Sequence, residues 1–246
     1  MATVSELLQV AVELHQANYL TQAEQVYCKL LEIEPNHLDG LYAFGVLRRQ
    51  LGDYESAIDL FNSVLRLQPK SAKAWFSLGN LHQEQGQLSE AVESYQQGLG
   101  IEPNSVPLLN NLGYALEQQG KLSEAIASYQ KALEVEPNCT EIEVNLANAL
   151  YHQGTLPSEK YADYAQLNHQ LGRQQQQVGN LEAAIVHYQQ AIALQPDLAE
   201  AHHSLGMTLQ EQKKFFEALP CYQQALTLNP DNVELRDFVT IYQALL

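Results

Sequence analysis

The sequence predicts an all-α protein assembled from repeated helix hairpins. Three observations carry that expectation. Prolines recur at a spacing of 34 residues: Pro35, Pro69, Pro103 and Pro137 form one run, and Pro196 and Pro230 repeat the interval. Small and aromatic residues recur in register with them. No stretch shows the two-residue alternation of a half-buried strand. A fixed period of this length marks stacked units, each unable to bury its apolar face alone.

The elements follow from these columns, in order along one unit. Gly45, Gly79, Gly113, Gly172 and Gly206 share a column with Ala11 and Ala147. Next come Gly52, Gly86, Gly120, Gly154 and Gly179, placed where a turn needs left-handed backbone. Ala23, Ala57, Ala91, Ala125, Ala184 and Ala218 follow, and Tyr27, Phe61, Tyr95, Tyr129, Tyr188 and Tyr222 stand four residues beyond them. Two helices packed antiparallel account for this order. The small residue of the first helix is expected to face the alanine of the second, with the aromatic wedged between one hairpin and the next. The proline stops the second helix because it has no amide to donate. Ala72–Gln85 is a typical first helix, with Trp75, Leu78 and Leu81 on one face, and Leu88–Ile101 is its partner.

Full units are read at Val4–His37, Leu38–Ser71, Ala72–Ser105, Val106–Cys139, Ala165–Leu198 and Ala199–Asn232. Residues 140–164 begin as a proper first helix, but the segment TLPSEKYADY lacks the alanine and the aromatic of a second one. Ser158 before Glu159 reads as a helix start, opening a single helix of about 21 residues, or about 31 Å. A register break is therefore expected, either as a hinge or bend between two arms or as a degenerate unit that the stack tolerates. Residues 233–246 have the length of one more first helix. Leu235, Phe238, Val239, Tyr242 and Leu246 would cover the last hairpin, while Ile241 and Leu245 extend the apolar surface and fit self-association as well. Pro220 predicts a mild kink in the final second helix.

Composition narrows the function. The chain has 246 residues, 46% apolar and 17% charged, which excludes a disordered segment. Thirteen Lys and Arg against 29 Asp and Glu give a net charge of −16. That balance argues against nucleic acid, whose affinity rests on cations neutralising phosphates, and against anionic membrane surfaces. No apolar run approaches the length of about 18 residues that a membrane-spanning helix needs. The N-terminus has no basic residue ahead of its apolar stretch and reads poorly as a secretory signal. Cys28, Cys139 and Cys221 are far apart and form no CxxC pair, so a reducing, cytoplasmic setting is the simple expectation.

The motifs of hydrolases, nucleotide-binding loops and zinc peptidases are missing, so the chain is expected to be non-catalytic and without a cofactor. One metal alternative is a carrier site built from His152, His169 and His203 on neighbouring first helices. Exposed polar histidines are the other reading of the same three residues.

The pattern W/L-x2-L-G, A-x3-Y/F and a closing proline resembles the tetratricopeptide repeat. Trp75, Leu78, Gly79, Ala91, Tyr95 and Pro103 follow it closely, as do Leu109, Leu112, Gly113, Ala125, Tyr129, Ala132 and Pro137. The resemblance implies a right-handed superhelical solenoid with first helices lining a concave groove, and a protein that binds a partner's peptide or helix there. Carried onto this sequence, the groove positions are Tyr42, Phe76, Asn80, Asn111, Tyr114, Asn145, Asn148 and Arg173, with Arg49 and Lys73 as cations and Glu84, Glu117, Glu141, Glu200 and Glu211 as acids.

The asparagines carry both donor and acceptor, which suits the main chain of an extended peptide. The acids favour a neutral or basic partner segment. Asn80 and Asn111 match the two asparagine places of the carboxylate clamp in chaperone-binding members. Phe76, Glu141 and Asn145 fill that clamp's basic places, so it is not expected. Asn111 and Asn145 alone match the asparagine ladder of the O-linked N-acetylglucosamine transferase superhelix. An interaction arm of a larger enzyme such as a glycosyltransferase is the alternative to a free-standing scaffold.

Overall fold

A computed structural model of the chain describes residues 3–232 together with 235, 236, 239 and 240. The described residues hold thirteen α-helices and no strand. The chain divides into two compact units, Met1–Pro137 and Asn138–Leu246.

The first unit is four hairpins. Helices α1 (Val4–Gln16) and α2 (Leu20–Ile33) pair, as do α3 (Leu38–Gln50) with α4 (Tyr54–Leu67), α5 (Ala72–Glu84) with α6 (Leu88–Ile101), and α7 (Val106–Gln118) with α8 (Leu122–Val135). Within this unit each first helix also touches the next one, α1 with α3, α3 with α5 and α5 with α7. The first helices therefore form one continuous layer.

Local chemistry sets both ends of each hairpin. At the inner turn Gly52, Gly86 and Gly120 have φ of 77°, 73° and 75°, while Asn18 holds the same conformation at 62°. The following amide reaches back across the turn, Asp53 to Arg48 O, Gln87 to His82 O and Lys121 to Leu116 O, which satisfies carbonyls the helix leaves open. At the outer end, Glu34, Gln68, Glu102 and Glu136 each precede a proline and are extended, with φ from −121° to −133°. A residue before proline is driven out of the helical region by the ring, so the second helix stops there.

In the core the small column lies against the aromatic of its own hairpin. A Cβ built on Gly79 would lie 2.4 Å from the Tyr95 ring, one on Gly45 2.9 Å from Phe61, and one on Gly113 2.6 Å from Tyr129. Each aromatic folds back onto the first helix of its own hairpin, and glycine leaves the space for its ring. Tyr27, Phe61, Tyr95 and Tyr129 are fully buried, a burial worth about 1.5–3 kcal/mol for a Phe-sized side chain. Successive hairpins meet through pairs of complementary size. A Cβ on Gly40 would lie 2.6 Å from Leu30, and one on Gly98 2.9 Å from Leu108.

The second unit starts with α9 (Thr140–Gln153), which ends on left-handed Gly154 and has no second helix of its own. A 3-10 turn, Ser158–Lys160, leads into α10 (Tyr161–Gln177). The expected helix from Ser158 is therefore shorter: α10 has 17 residues, about 26 Å. Ser158 makes no capping bond; it sits within the tight turn that Pro157 opens. Leu156 is buried with Ala147, Ala165, Ala191 and Leu194, filling the core place of the missing helix. Then come the hairpins α10 with α11 (Leu181–Leu194) and α12 (Ala199–Glu211) with α13 (Phe215–Leu228). Helix α13 runs unbroken through Pro220. Gly172 and Gly206 again make room for Tyr188 and Tyr222.

Beyond α13, Leu235 and Val239 are buried against Leu205, Leu209 and Ala225. Phe238, Ile241, Tyr242, Leu245 and Leu246, on which the full capping and self-association expectations also rest, lie outside the described residues. The three cysteines are free and half-buried. No described helix is long and apolar enough to cross a membrane.

Candidate functional site: the open face of α3, α5 and α7

The layer of first helices in the first unit brings five of the expected residues together. Tyr42 on α3 reaches Ser77 on α5 through a 2.8 Å hydroxyl contact, and the Lys73 ammonium lies 3.9 Å above the Tyr42 ring. Phe76 tilts against Tyr95 with centroids 6.3 Å apart. Asn80 Oδ1 accepts from the Tyr95 hydroxyl and from Asn111 Nδ2, both at 2.8 Å. Tyr114 on α7 is exposed. Arg49 donates to both carboxylate oxygens of Glu84, 2.9 Å and 3.1 Å from its Nε, and this bond holds its proton more firmly than usual.

Asn80 and Asn111 are therefore organised rather than loose. Each shares one amide group in the lattice around Tyr95, which fixes where the rest of the side chain points. Burial raises the pKa of Tyr95, so its hydroxyl keeps its hydrogen and stays a donor.

A further column was not foreseen. Gln83, Glu117, Gln176 and Gln210 each accept from a tyrosine hydroxyl twelve residues on, Tyr95, Tyr129, Tyr188 and Tyr222, at 2.7–3.1 Å. A Gln/Glu column at that offset is legible in the sequence once the partner is known. Two hairpins lack it. Phe61 has no hydroxyl, and Arg49 in the acceptor place turns to Glu84. Tyr27 has His15 there, and its buried hydroxyl has no partner among the described residues. Burial pushes Tyr27 up to about 12.

The second unit treats its expected residues differently. Asn148, expected on an open face, is buried at 4% exposure. Its Nδ2 donates to Gln190 Oε1 at 2.9 Å, and its Oδ1 accepts from Asn168 Nδ2 at 3.2 Å. Asn168 is fully buried; it also donates to Tyr164 O, and its Oδ1 faces His187 Nδ1 at 3.3 Å. Helices α10 and α11 cover this side of α9 because α9 has no partner helix of its own. Asn168 stands in the column of Trp75 and His202, which reach the carbonyls of Pro69 and Pro196. Ala162, not a proline, stands six residues before Asn168, and the Asn168 side chain turns inward. Asn145 is half-buried on α9 and Arg173 exposed on α10.

The three histidines named as a metal alternative are engaged separately. His169 contacts Ser204 Oγ at 3.0 Å and tilts on Tyr188, and His203 tilts on Tyr222. Among the described residues no three His, Cys, Asp or Glu side chains converge to hold an ion.

Tetratricopeptide repeat models match residues 42–106, 106–139 and 199–232, and a TPR repeat model matches 172–213. Together these stretches span more than half of the sequence. The chain belongs to the tetratricopeptide repeat family. The matched stretches stop at 139 and resume at 172, either side of the hairpin that α9 fails to complete. This is a repeat fold that generally serves as a protein–protein interaction scaffold.

Solved structures agree on the fold. The chain is similar to a tetratricopeptide repeat protein from Parabacteroides merdae at a TM-score of 0.63 and 15% identity, over 98% of each chain. It is similar to Pseudomonas aeruginosa pilF at 0.56 and 18%, over 96% of each. Against a chain of the APC/C Cut9–Hcn1 hetero-tetramer the score is 0.54 with 18% identity, covering 98% of this chain and 43% of that one. This chain thus spans less than half of that protein's length. No curated protein sequence matches the chain.

Proposed function

We propose that this repeat protein is a non-catalytic scaffold that binds an extended, neutral or basic segment of a partner protein along α3, α5 and α7. The observation that carries this reading is the Asn80–Asn111 pair. Tyr95 and the bond between the two amides orient them, and exposed Tyr114 and half-buried Phe76 flank them. Oriented amides present donor and acceptor to a peptide main chain without reading its sequence, and the neighbouring rings supply apolar contact. The overall charge of −16 disfavours an acidic partner. Three separated thiols fit a reducing cytoplasm.

Affinity capture from the native host, followed by mass spectrometry, tests the reading. Asn111→Ala and Tyr114→Ala should each lose the partners that the unaltered chain retains, with helicity and melting temperature checked in parallel. Retention of the same partners by both folded variants would place binding elsewhere.

A further inference from the structure

We infer that the cleft between the N-terminal ends of α5 and α7 is an anchor pocket for one large apolar side chain of a neutral partner segment. This rests on the groove reading above and names which residue of the partner the groove selects.

The cleft measures about 180 Å3 and has carbon walls from Ala72, Phe76, Pro107 and Leu108, with Lys73, Glu102 and Ser105 completing its rim. Small-molecule sites run to about 300–1,000 Å3, so a cleft this size suits a single side chain. The same place in the repeat is also a cleft in the second unit, lined by Ala199, Glu200, His203, Ala225 and Leu235 among others, but it measures about 60 Å3. Ala199, Glu200, His203 and Leu235 are the counterparts of Ala72, Lys73, Phe76 and Leu108. Among the residues that differ between the clefts, Phe76 is replaced by His203, Lys73 by Glu200, Glu102 by Asn229 and Ser105 by Asn232, and Gly98, behind Leu108, by Ala225. A Cβ on Gly98 would lie 2.9 Å from both Leu108 methyls, so glycine sets how far that wall stands back.

The rim gives the charge of the occupant. It carries one cation and one anion, and the Lys73 ammonium already rests on the Tyr42 ring. An acidic or basic anchor would meet one like and one opposite charge at the rim, gain little net from them, and lose its hydration to carbon walls. A neutral apolar anchor loses nothing. Asn80 lies one helical turn beyond Phe76 and Asn111 three residues beyond Leu108, so the amide pair sits beside the pocket on the same two helices. An anchor in the cleft would lead its own main chain onto those amides.

The test is an NMR titration of the full chain, with labelled Leu methyls and Phe rings, against capped amino acids. N-acetyl-leucinamide and N-acetyl-phenylalaninamide should shift Leu108 and Phe76 saturably, and the capped glutamate and lysine amides should bind at least tenfold more weakly. Gly98→Ala should weaken the apolar probes severalfold by moving the Leu108 wall; Phe76→Ala gives a second readout should that variant not fold. No saturable shift at Leu108, or equal response to charged probes, overturns the pocket. If partner capture is lost in Asn111→Ala but kept in both pocket variants, the pocket inference falls while the groove reading stands. If all of these variants keep the partner, both fall.

Discussion

In the first unit every first helix is followed by its own second helix, and Asn80 and Asn111 stay only half-buried. In the second unit α9 lacks that partner, α10 and α11 close over it, and Asn148, Asn168, Gln190 and half-buried His187 become a polar network inside the fold. One missing helix thus turns a residue of the expected binding face into a structural one. Asn80 and Asn148 occupy the same column of the repeat, yet only Asn80 stays on the open face. The difference teaches that a column in a repeat protein has a fixed place but not a fixed exposure, because exposure depends on what the neighbouring unit supplies.

The largest effect should come from cutting the buried network. Asn168→Ala would leave Asn148 Oδ1 and His187 Nδ1 without their partner. Buried orphans cost about 1–3 kcal/mol each, so a loss of about 2–4 kcal/mol is expected. Hydrogen exchange on the full chain should show it in α9–α11, with α1–α8 nearly unchanged. Equal loosening of both units would contradict their separation.

The tyrosine column sharpens the contrast next. Tyr95→Phe removes the hydroxyl that Asn80 and Gln83 receive, and should cost about 1–1.5 kcal/mol in urea unfolding. Tyr27→Phe removes a hydroxyl with no partner and should be neutral or stabilising. Equal losses in the two variants would sink the acceptor-column account.

A smaller gain is expected at a turn. Lys213 sits at φ 62°, where the other turns of the second unit use Gly154 and Gly179. Lys213→Gly should stabilise by about 0.5–1 kcal/mol, less than the left-handed strain because glycine also loosens the unfolded chain. Asn18 holds the same φ in the first unit, and Asn18→Gly should gain less, since asparagine tolerates this conformation. A melting-temperature rise at residue 18 as large as at 213 would argue against strain.

Acid should distinguish the units with the mildest effect. Burial holds His169 and His187 below their ordinary value of 6.5, with the Arg173 charge adding to the effect on His169. Unfolding then takes up protons as pH falls. The stability these rings lend is complete above about 6.5 and is lost as pH drops from there through their folded values. In the first unit the lowered groups are Glu6, bonded to Thr3, and Asp53, bonded to Ser56. Their contribution is present above 4.5 and 3.8 and is lost only as pH falls through still lower folded values. Exchange measured between pH 6.5 and 5 should loosen α10–α11 first; earlier loosening of α1–α4 would count against this order.

Much of the fold is legible in the sequence because its determinants are local. Helix α5 was expected to end at Gln85 and ends at Glu84, and Leu88–Ile101 falls as expected. Ser158 misled because its capping chemistry depends on the backbone that follows, and Pro157 commits that backbone to a 3-10 turn. The candidate site is legible only in its first half. Tyr42, Phe76, Asn80, Asn111 and Tyr114 lie on regular hairpins, where position in the repeat decides exposure. Asn148 lies at the break, where it does not.

The sequence by itself determined the period, the helices and their ends, since proline, glycine and helical apolar faces act over a few residues. Only the tertiary structure decided which ring fills which glycine notch, which asparagines stay open, and how large the cleft beside Phe76 becomes. Those outcomes depend on the volume and hydrogen-bonding capacity of side chains distant in sequence. Gly98 needs Leu108, and Asn148 needs Asn168, before either has a meaning.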